Sequence, residues 1–410
     1  MTSSAGPAGA GAFFIQPHGC FCKKSKQAEV FALKKAVLIP DSFKGTMSST
    51  RVCQLIAERI EKIFPGCAVQ SIPVADGGEG SVDAFLTAVG GDKVTKTVTG
   101  PWFEQCEGYY GLIDGGATAV LEMAAAAGLP MVGDHKDPSG TTTFGVGELI
   151  ADAARSGARR LVVGLGGSAT NDGGCGAAAA AGVRFYNAAG ESFVPVGGTL
   201  KDIERIDMSS RDPALNSVEI VTMCDIDNPM YGKTGAAYIF GPQKGADPAM
   251  VESLDQGLRH LAEVIKRDVG VDVAEIPGAG AAGAMGAGMV AFFGSRLQMG
   301  IETVLDTVGF DEAIKDADVI FTGEGKIDSQ SLRGKVVIGV ARRAVKQAKP
   351  VVAIVGGADY DVDAAYGEGV TAIFPINRLP QDFSVLKEHS EENLAFAAEN
   401  VLRTMRMAGM

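Results

Sequence analysis

Short apolar runs alternate with amphipathic stretches along this chain, and a polar loop marks most of the changes. Lys35 to Pro40 (KAVLIP) reads as a buried strand that delivers Asp41-Ser42-Phe43-Lys44-Gly45. Ser48 or Ser49 can cap a helix in which Val52, Leu55, Ile56, Ile60, Ile63 and Phe64 recur at helical spacing, and Pro65-Gly66 stops it. A second strand, Ala68 to Val74, ends in Ala75-Asp76-Gly77-Gly78-Glu79-Gly80. A helix follows with Val82, Phe85, Leu86 and Val89 inward, and breaks at Gly90-Gly91. This repeated order of strand, polar loop and helix predicts a parallel α/β sheet. Ligands of such sheets gather at the carboxyl ends of the strands, where both polar loops lie.

From Val94 the pattern shifts to short β-rich segments at 94–98, 109–113 and 119–123. Then come a helix at 147–156, the strand Arg160 to Val163, and a loop crowded with glycine from Gly164 to Gly176. Glu219 to Met223 predicts a further strand ending in Cys224-Asp225-Ile226-Asp227-Asn228-Pro229. The α/β rhythm returns after Gly278, with a strand at 318–322 feeding Gly323-Glu324-Gly325-Lys326-Ile327-Asp328. A helix at 334–347, a strand at 350–355 and a last amphipathic helix at 383–405 follow. The expected organisation is a first domain from 31–94 plus 279–410, with a second domain, 95–278, inserted into it.

Composition narrows the function. A net charge of -12 argues against a nucleic-acid partner, which needs a basic footprint. The seven cysteines are scattered, and Cys20-Phe21-Cys22 has no second pair, so reduced thiols in a cytoplasmic protein are expected rather than a zinc site. The uncharged run Pro277 to Ser295 is mostly Gly and Ala, too weakly apolar to span a membrane, and no membrane partner is expected. Residues 1–30 lack both helical or strand periodicity and a proper signal sequence, and are expected to be a disordered leader, with a mis-set start or a weak targeting segment as alternatives.

The glycine motifs test the obvious nucleotide folds. Gly164-Leu165-Gly166-Gly167-Ser168-Ala169 and Gly278-Ala279-Gly280-Ala281-Ala282-Gly283 both match G-x-G-x-x-G/A. The first lacks an acid about 20 residues on, and the second follows Ile276-Pro277, a poor strand ending. They leave an NAD(P)-dependent oxidoreductase of a small hydroxy acid as an alternative. Gly232-Lys233-Thr234 fails as a P-loop, because Asp227 stands where its first glycine belongs. His18, His135, His260 and His389 all lie outside the polar loops, so a Ser-His-Asp hydrolase has no base. What remains is a set of strand-end loops in which glycines accompany lysines (Lys44, Lys326) and carboxylates (Asp41, Asp76, Glu79, Asp172, Asp225, Glu324, Asp328). Backbone N–H groups and lysines suit phosphate, and carboxylates suit Mg²⁺ or a hydroxyl proton, which together suit phosphoryl transfer. A non-catalytic carboxylate-binding protein is the third reading.

Six segments in order resemble the hallmark segments of the type I glycerate kinases. They are 40–45 (PDSFKG), 75–80 (ADGGEG), 164–174 (GLGGSATNDGG), 240–246 (FGPQKGA), 278–283 (GAGAAG) and 322–328 (TGEGKID). The resemblance covers about Leu33 to Asn377. Ala284 stands where the family often has a second glycine, and Ser331 where threonine is expected.

The resemblance implies a flavodoxin-like three-layer α/β domain with an inserted, restriction-enzyme-like α/β domain. It implies ATP- and Mg²⁺-dependent phosphorylation of D-glycerate, with 2-phosphoglycerate favoured, and an active site between the domains. A homo-oligomer is compatible with it. Within that frame Asp76 or Asp172 accepts the hydroxyl proton, and Lys44 or Lys326 neutralises phosphate or carboxylate. Glu324 and Asp328 are the Mg²⁺ candidates. Asp41, Ser42, Gly77, Gly78, Glu79, Gly166, Gly167, Ser168 and Asn171 are expected to line the substrate- or phosphate-binding surface.

Overall fold

The computed structural model describes residues 1–2, 33–74, 80–329 and 331–409. Most of the expected leader, and Asp76, Gly77, Gly78 and Glu79, lie outside the described residues. In chain order the strands are β1 (Lys35–Pro40), β2 (Ala68–Ser71), β3 (Asp92–Thr99), β4 (Gln105–Ile113), β5 (Thr118–Glu122), β6 (Arg160–Gly164) and β7 (Arg184–Tyr186). They continue with β8 (Ser192–Phe193), β9 (Arg205–Asp207), β10 (Glu219–Met223), β11 (Arg296–Gln298), β12 (Val319–Gly323), β13 (Val351–Val355) and β14 (Ala372–Pro375).

One sheet is wholly parallel, in the order β14-β13-β12-β1-β2. Numbered within the sheet this is 2-1-3-4-5, the flavodoxin-like doubly wound order. The reason for two covered faces is visible in β1. Val37 and Ile39 point into one apolar cluster and Ala36 and Leu38 into another, because successive side chains of a strand alternate. Helices Ser49–Ile63 and Ser390–Met407 pack on the second cluster through Val52, Ile56, Leu394 and Leu402. Helices Ser81–Val89, Gly300–Thr307 and Val336–Val345 pack on the first. The chain is therefore α/β with three layers here. The single last helix expected at 383–405 is instead a short piece, Phe383–Leu386, a tight turn at 387–389, and the helix proper from Ser390.

The other large sheet is mixed, in the order β11-β10-β6-β5-β4-β3, with β5, β6, β10 and β11 mutually parallel and β3 and β4 antiparallel. Its strands run from Asp92 to Gln298, so they begin before 95 and end after 278. Composition is uniform through the Gly- and Ala-rich stretch around 278. Only the pairing of Arg296 with Val221 assigns that stretch to this sheet. Helix Ala281–Phe293 likewise buries Met285 and Phe292 in the cluster that holds Leu161, Ala177 and Leu258. A small antiparallel sheet, β8-β7-β9, lies beside it.

Val120, Val162 and Met223 of the mixed sheet share one apolar cluster with Val37, Ile39 and Ile320 of the parallel sheet. Cys53, Cys67, Cys106, Cys175 and Cys224 are free thiols. No described helix is long and apolar enough to cross a membrane.

Candidate active site

A cavity of about 760 Å³ opens at the carboxyl ends of the strands. It lies at the switch point of the parallel sheet. Neighbouring strands β1 and β12 send their following helices, Ser49–Ile63 and Val336–Val345, to opposite faces, and the loops between part there. The loop after β1 contributes Asp41, Ser42 and Lys44, the loop after β12 contributes Glu324 and Lys326, and the loop after β10 brings Asp225 from the mixed sheet. Lys335 and Val336 add the first turn of helix Val336–Val345, whose free N–H groups carry partial positive charge. Lys335 was not legible in the sequence, because a lysine at a helix start matches no capping preference.

Glu324 is only 5% exposed, and its Oε1 has no hydrogen-bond partner among the described residues. Burial pushes its carboxyl up to about 7. Ser331 and Lys335 pull the other way, while the nearby charges of Asp41 and Asp328 reinforce the rise. Asp41 accepts a hydrogen bond from its neighbour's Ser42 N–H at 2.6 Å. Asp328 is spent partly on its own turn: Ser331 N–H donates to its Oδ1 at 3.2 Å, and Asp328 N–H donates to Ser331 Oγ at 3.2 Å. Lys326 sits at an exposed rim, bonded to Asp359 at 2.9 Å, which raises its ammonium above the usual range. Asp225 accepts from Gly300 N–H at 2.7 Å and so caps helix Gly300–Thr307.

The glycine loop after β6 is built differently. Asp172 is fully buried, and both of its oxygens are taken. Oδ2 accepts from Thr143 N–H and Oγ1–H, both at 2.8 Å, and from Gly176 N–H at 3.2 Å; Oδ1 accepts from Gly174 N–H at 3.1 Å. Burial pushes its carboxyl up and these four donors oppose the rise. Gly167 is exposed and left-handed (φ 76°), with Gly166 half-buried beside it and Ser168 buried behind.

Gly173 N–H donates to Gly283 O at 3.1 Å. At Gly283, left-handed at φ 67°, an added Cβ would lie 2.0 Å from Thr170 O. The 278–283 motif thus packs against Thr170 to Gly173, the chain just after the 164–169 match, and Gly283 permits this close approach. Gly283→Ala is expected to cost about 2–4 kcal/mol by overpacking and strain. A denaturant midpoint equal to that of the wild type would count against the packing described. Ala284, where the resembling family often carries glycine, is itself left-handed at φ 65°.

Two buried groups escaped the sequence reading. Glu122, at the end of β5, accepts from Tyr109 OH at 2.6 Å and from Gly80 and Val82 N–H, tying down the chain just after 75–79. Lys244 donates to Ser168 Oγ and to Thr170 O, each at 2.7 Å. Lys244 lies in the 240–246 segment, and its contact with Ser168, 76 residues away, exists only once the chain has folded.

Comparison with known proteins agrees with this architecture. Residues 36–406 match the model of the glycerate kinase family. A glycerate kinase of Bacillus cereus is 44% identical, over 91% of this chain and 98% of its own length. A glycerate 2-kinase of Escherichia coli strain K12 is 44% identical, over 92% of this chain and 100% of its own. A crystal structure assigned to glycerate kinase 2 of Salmonella typhimurium LT2 superposes with a TM-score of 0.81 at 41% identity, covering 92% of this chain and 99% of that one. With the family pattern spanning both sheets and every strand-end loop around the cavity, the chain belongs to the glycerate kinase family.

Proposed function

We propose that this protein transfers the γ-phosphoryl group of ATP to D-glycerate, with the 2-hydroxyl as acceptor. The observation that carries the reading is the cavity at the switch point, where lysines and a helix N-terminus border a buried carboxyl, one of whose oxygens has no partner among the described residues. The name of the E. coli relative, a glycerate 2-kinase, supports the choice of hydroxyl.

In this reading the chain works as two units, one carrying each large sheet, that border the cavity together. Lys44, Lys335 and the first turn of helix Val336–Val345 hold nucleotide phosphates. Lys326 serves at the rim. Mg²⁺ commonly binds through one or two carboxylates together with substrate phosphates, and among the described residues no ready-made group of three ligands exists. Glu324, with its free oxygen, fits that arrangement, with Asp41 and Asp328 close enough in charge to assist. When bound, the ion would neutralise charge on the phosphoryl group in transfer. The glycerate oxygen bonds to the γ-phosphorus as the bond to ADP breaks, and the hydroxyl proton passes to a carboxylate. Asp76 is the candidate for that proton. Asp172 is assigned to anchoring, because protein donors already occupy both of its oxygens. Gly166, Gly167, Ser168 and Asn171 belong to the surface that receives the acid.

The test is an assay with ATP, Mg²⁺ and D-glycerate, read by phosphorus NMR. A phosphoglycerate signal whose proton coupling identifies the 2-position is expected; no ADP and no new signal from folded protein would overturn the reading. The pH dependence gives a second check. Glu324 must lose its proton to hold Mg²⁺, so at low Mg²⁺ kcat/KM should fall as pH drops through about 7. More Mg²⁺ should move that limb to lower pH, since metal and proton compete. A limb indifferent to Mg²⁺ would remove Glu324 as a ligand. Stability carries the opposite sign. The folded carboxyl holds its proton more tightly than the unfolded one, so this contribution is present below about 4.5 and lost as pH rises through about 7.

A further inference from the structure

The geometry points to Lys244 as a positioning residue for the carboxylate of the acceptor substrate, acting through Ser168; this rests on the kinase reading above. Lys244 is 2% exposed, and among the described residues no carboxylate lies within ion-pair distance of its Nζ. An isolated buried ammonium is costly, and the cost falls when an anion approaches. Burial pushes the Lys244 ammonium down to about 7, and the charge of Asp172, already saturated by its own donors, opposes that fall only in part.

The direction of the hydrogen bonds does the aiming. An arriving anion favours the charged lysine, and an ammonium only donates, so Ser168 Oγ then accepts from Lys244 and the single Ser168 proton is left to point elsewhere. The loop opens to solvent at the neighbouring exposed Gly167, so the free proton can serve an anion arriving there. A second observation marks the same loop as a ligand site. Asn171 is 1% exposed, and among the described residues both its Oδ1 and its Nδ2 lack partners, as does the buried Thr170 Oγ1. Unpaired buried polar atoms are rare and costly. Here they supply both a donor for a carboxylate and acceptors for hydroxyls, the combination a small hydroxy acid requires. The loop therefore takes the acid and the cavity at the parallel sheet takes the nucleotide.

The test compares wild type with Lys244→Met, which keeps the length of the buried stem and removes the charge. D-glycerate KM should rise about ten- to a hundredfold, the range for a hydrogen bond to a charged group. ATP KM should stay within threefold, and the melting temperature should not fall. Calorimetric titration with D-glycerate alone should show the same loss of affinity. Ser168→Ala, a milder change, should raise D-glycerate KM selectively as well, and it keeps the test open if Lys244→Met does not fold. Equal changes in both KM values with a lower melting temperature would make Lys244 purely structural and overturn the inference. A rise confined to ATP KM would overturn it too, because the anion would then be a nucleotide phosphate. A wild-type protein with no kinase activity would instead remove the functional reading beneath it.

Discussion

Glu324→Gln is expected to lower kcat/KM by about 10²–10³-fold, the usual scale for removing one preorganised electrostatic group from a transition state. The amide is nearly isosteric and keeps an oxygen where Oε1 now lacks a partner. It cannot hold a full negative charge beside a metal or the transferring phosphoryl group. The melting temperature should stay equal or rise, because the neutral side chain escapes the desolvation that pushes the carboxyl up to about 7. Activity and stability therefore part company, which is the mark of a group kept for chemistry rather than for folding. Steady-state kinetics at saturating Mg²⁺, together with a thermal melt, check both halves. Activity within threefold of wild type would sink the metal role.

Asp172→Ala should do the reverse and strike the fold. It strands Thr143 N–H, Thr143 O–H, Gly174 N–H and Gly176 N–H inside the protein with no acceptor. Each stranded donor costs about 1–3 kcal/mol before relaxation, so a total loss of about 3–5 kcal/mol is expected by chemical denaturation. The start of helix Cys175–Ala180 loses its anchor with it. Asp172→Asn should also be destabilised, since its amide N–H groups would meet donors. Activity per folded molecule should stay within about tenfold, whereas loss of a general base costs roughly 10²–10⁴-fold. An Asp172→Asn protein as stable as wild type but a thousandfold slower would reinstate Asp172 as the proton acceptor.

The two residues show why the loops could be found from sequence while the roles could not. Both sit in polar loops after apolar runs, and both are carboxylates beside glycine. Their difference is the number of protein donors on each. For Asp172 these come from Thr143, 29 residues away, as well as from its own loop. For Glu324, one oxygen is left over. Asp328 and Lys326, equally prominent in the sequence, turn out to be engaged by Ser331 and Asp359.

The sequence by itself determined the elements that local periodicity encodes. The strand read at Lys35 to Pro40 is β1, that read at Glu219 to Met223 is β10, and the polar loops that follow them border the cavity. Strand and helix periods are written within a few residues, so they survive without knowledge of the fold. Tertiary structure alone decided which sheet received Arg296–Gln298, since strand pairing depends on a partner, Val221–Met223, far away in the chain. It alone decided that Gly283 closes on Thr170 to Gly173 and that Lys244 reaches Ser168. It also decided which carboxylate kept a free oxygen. These are properties of contacts between distant residues, and burial, which sets their electrostatics, exists only once the chain has closed around them.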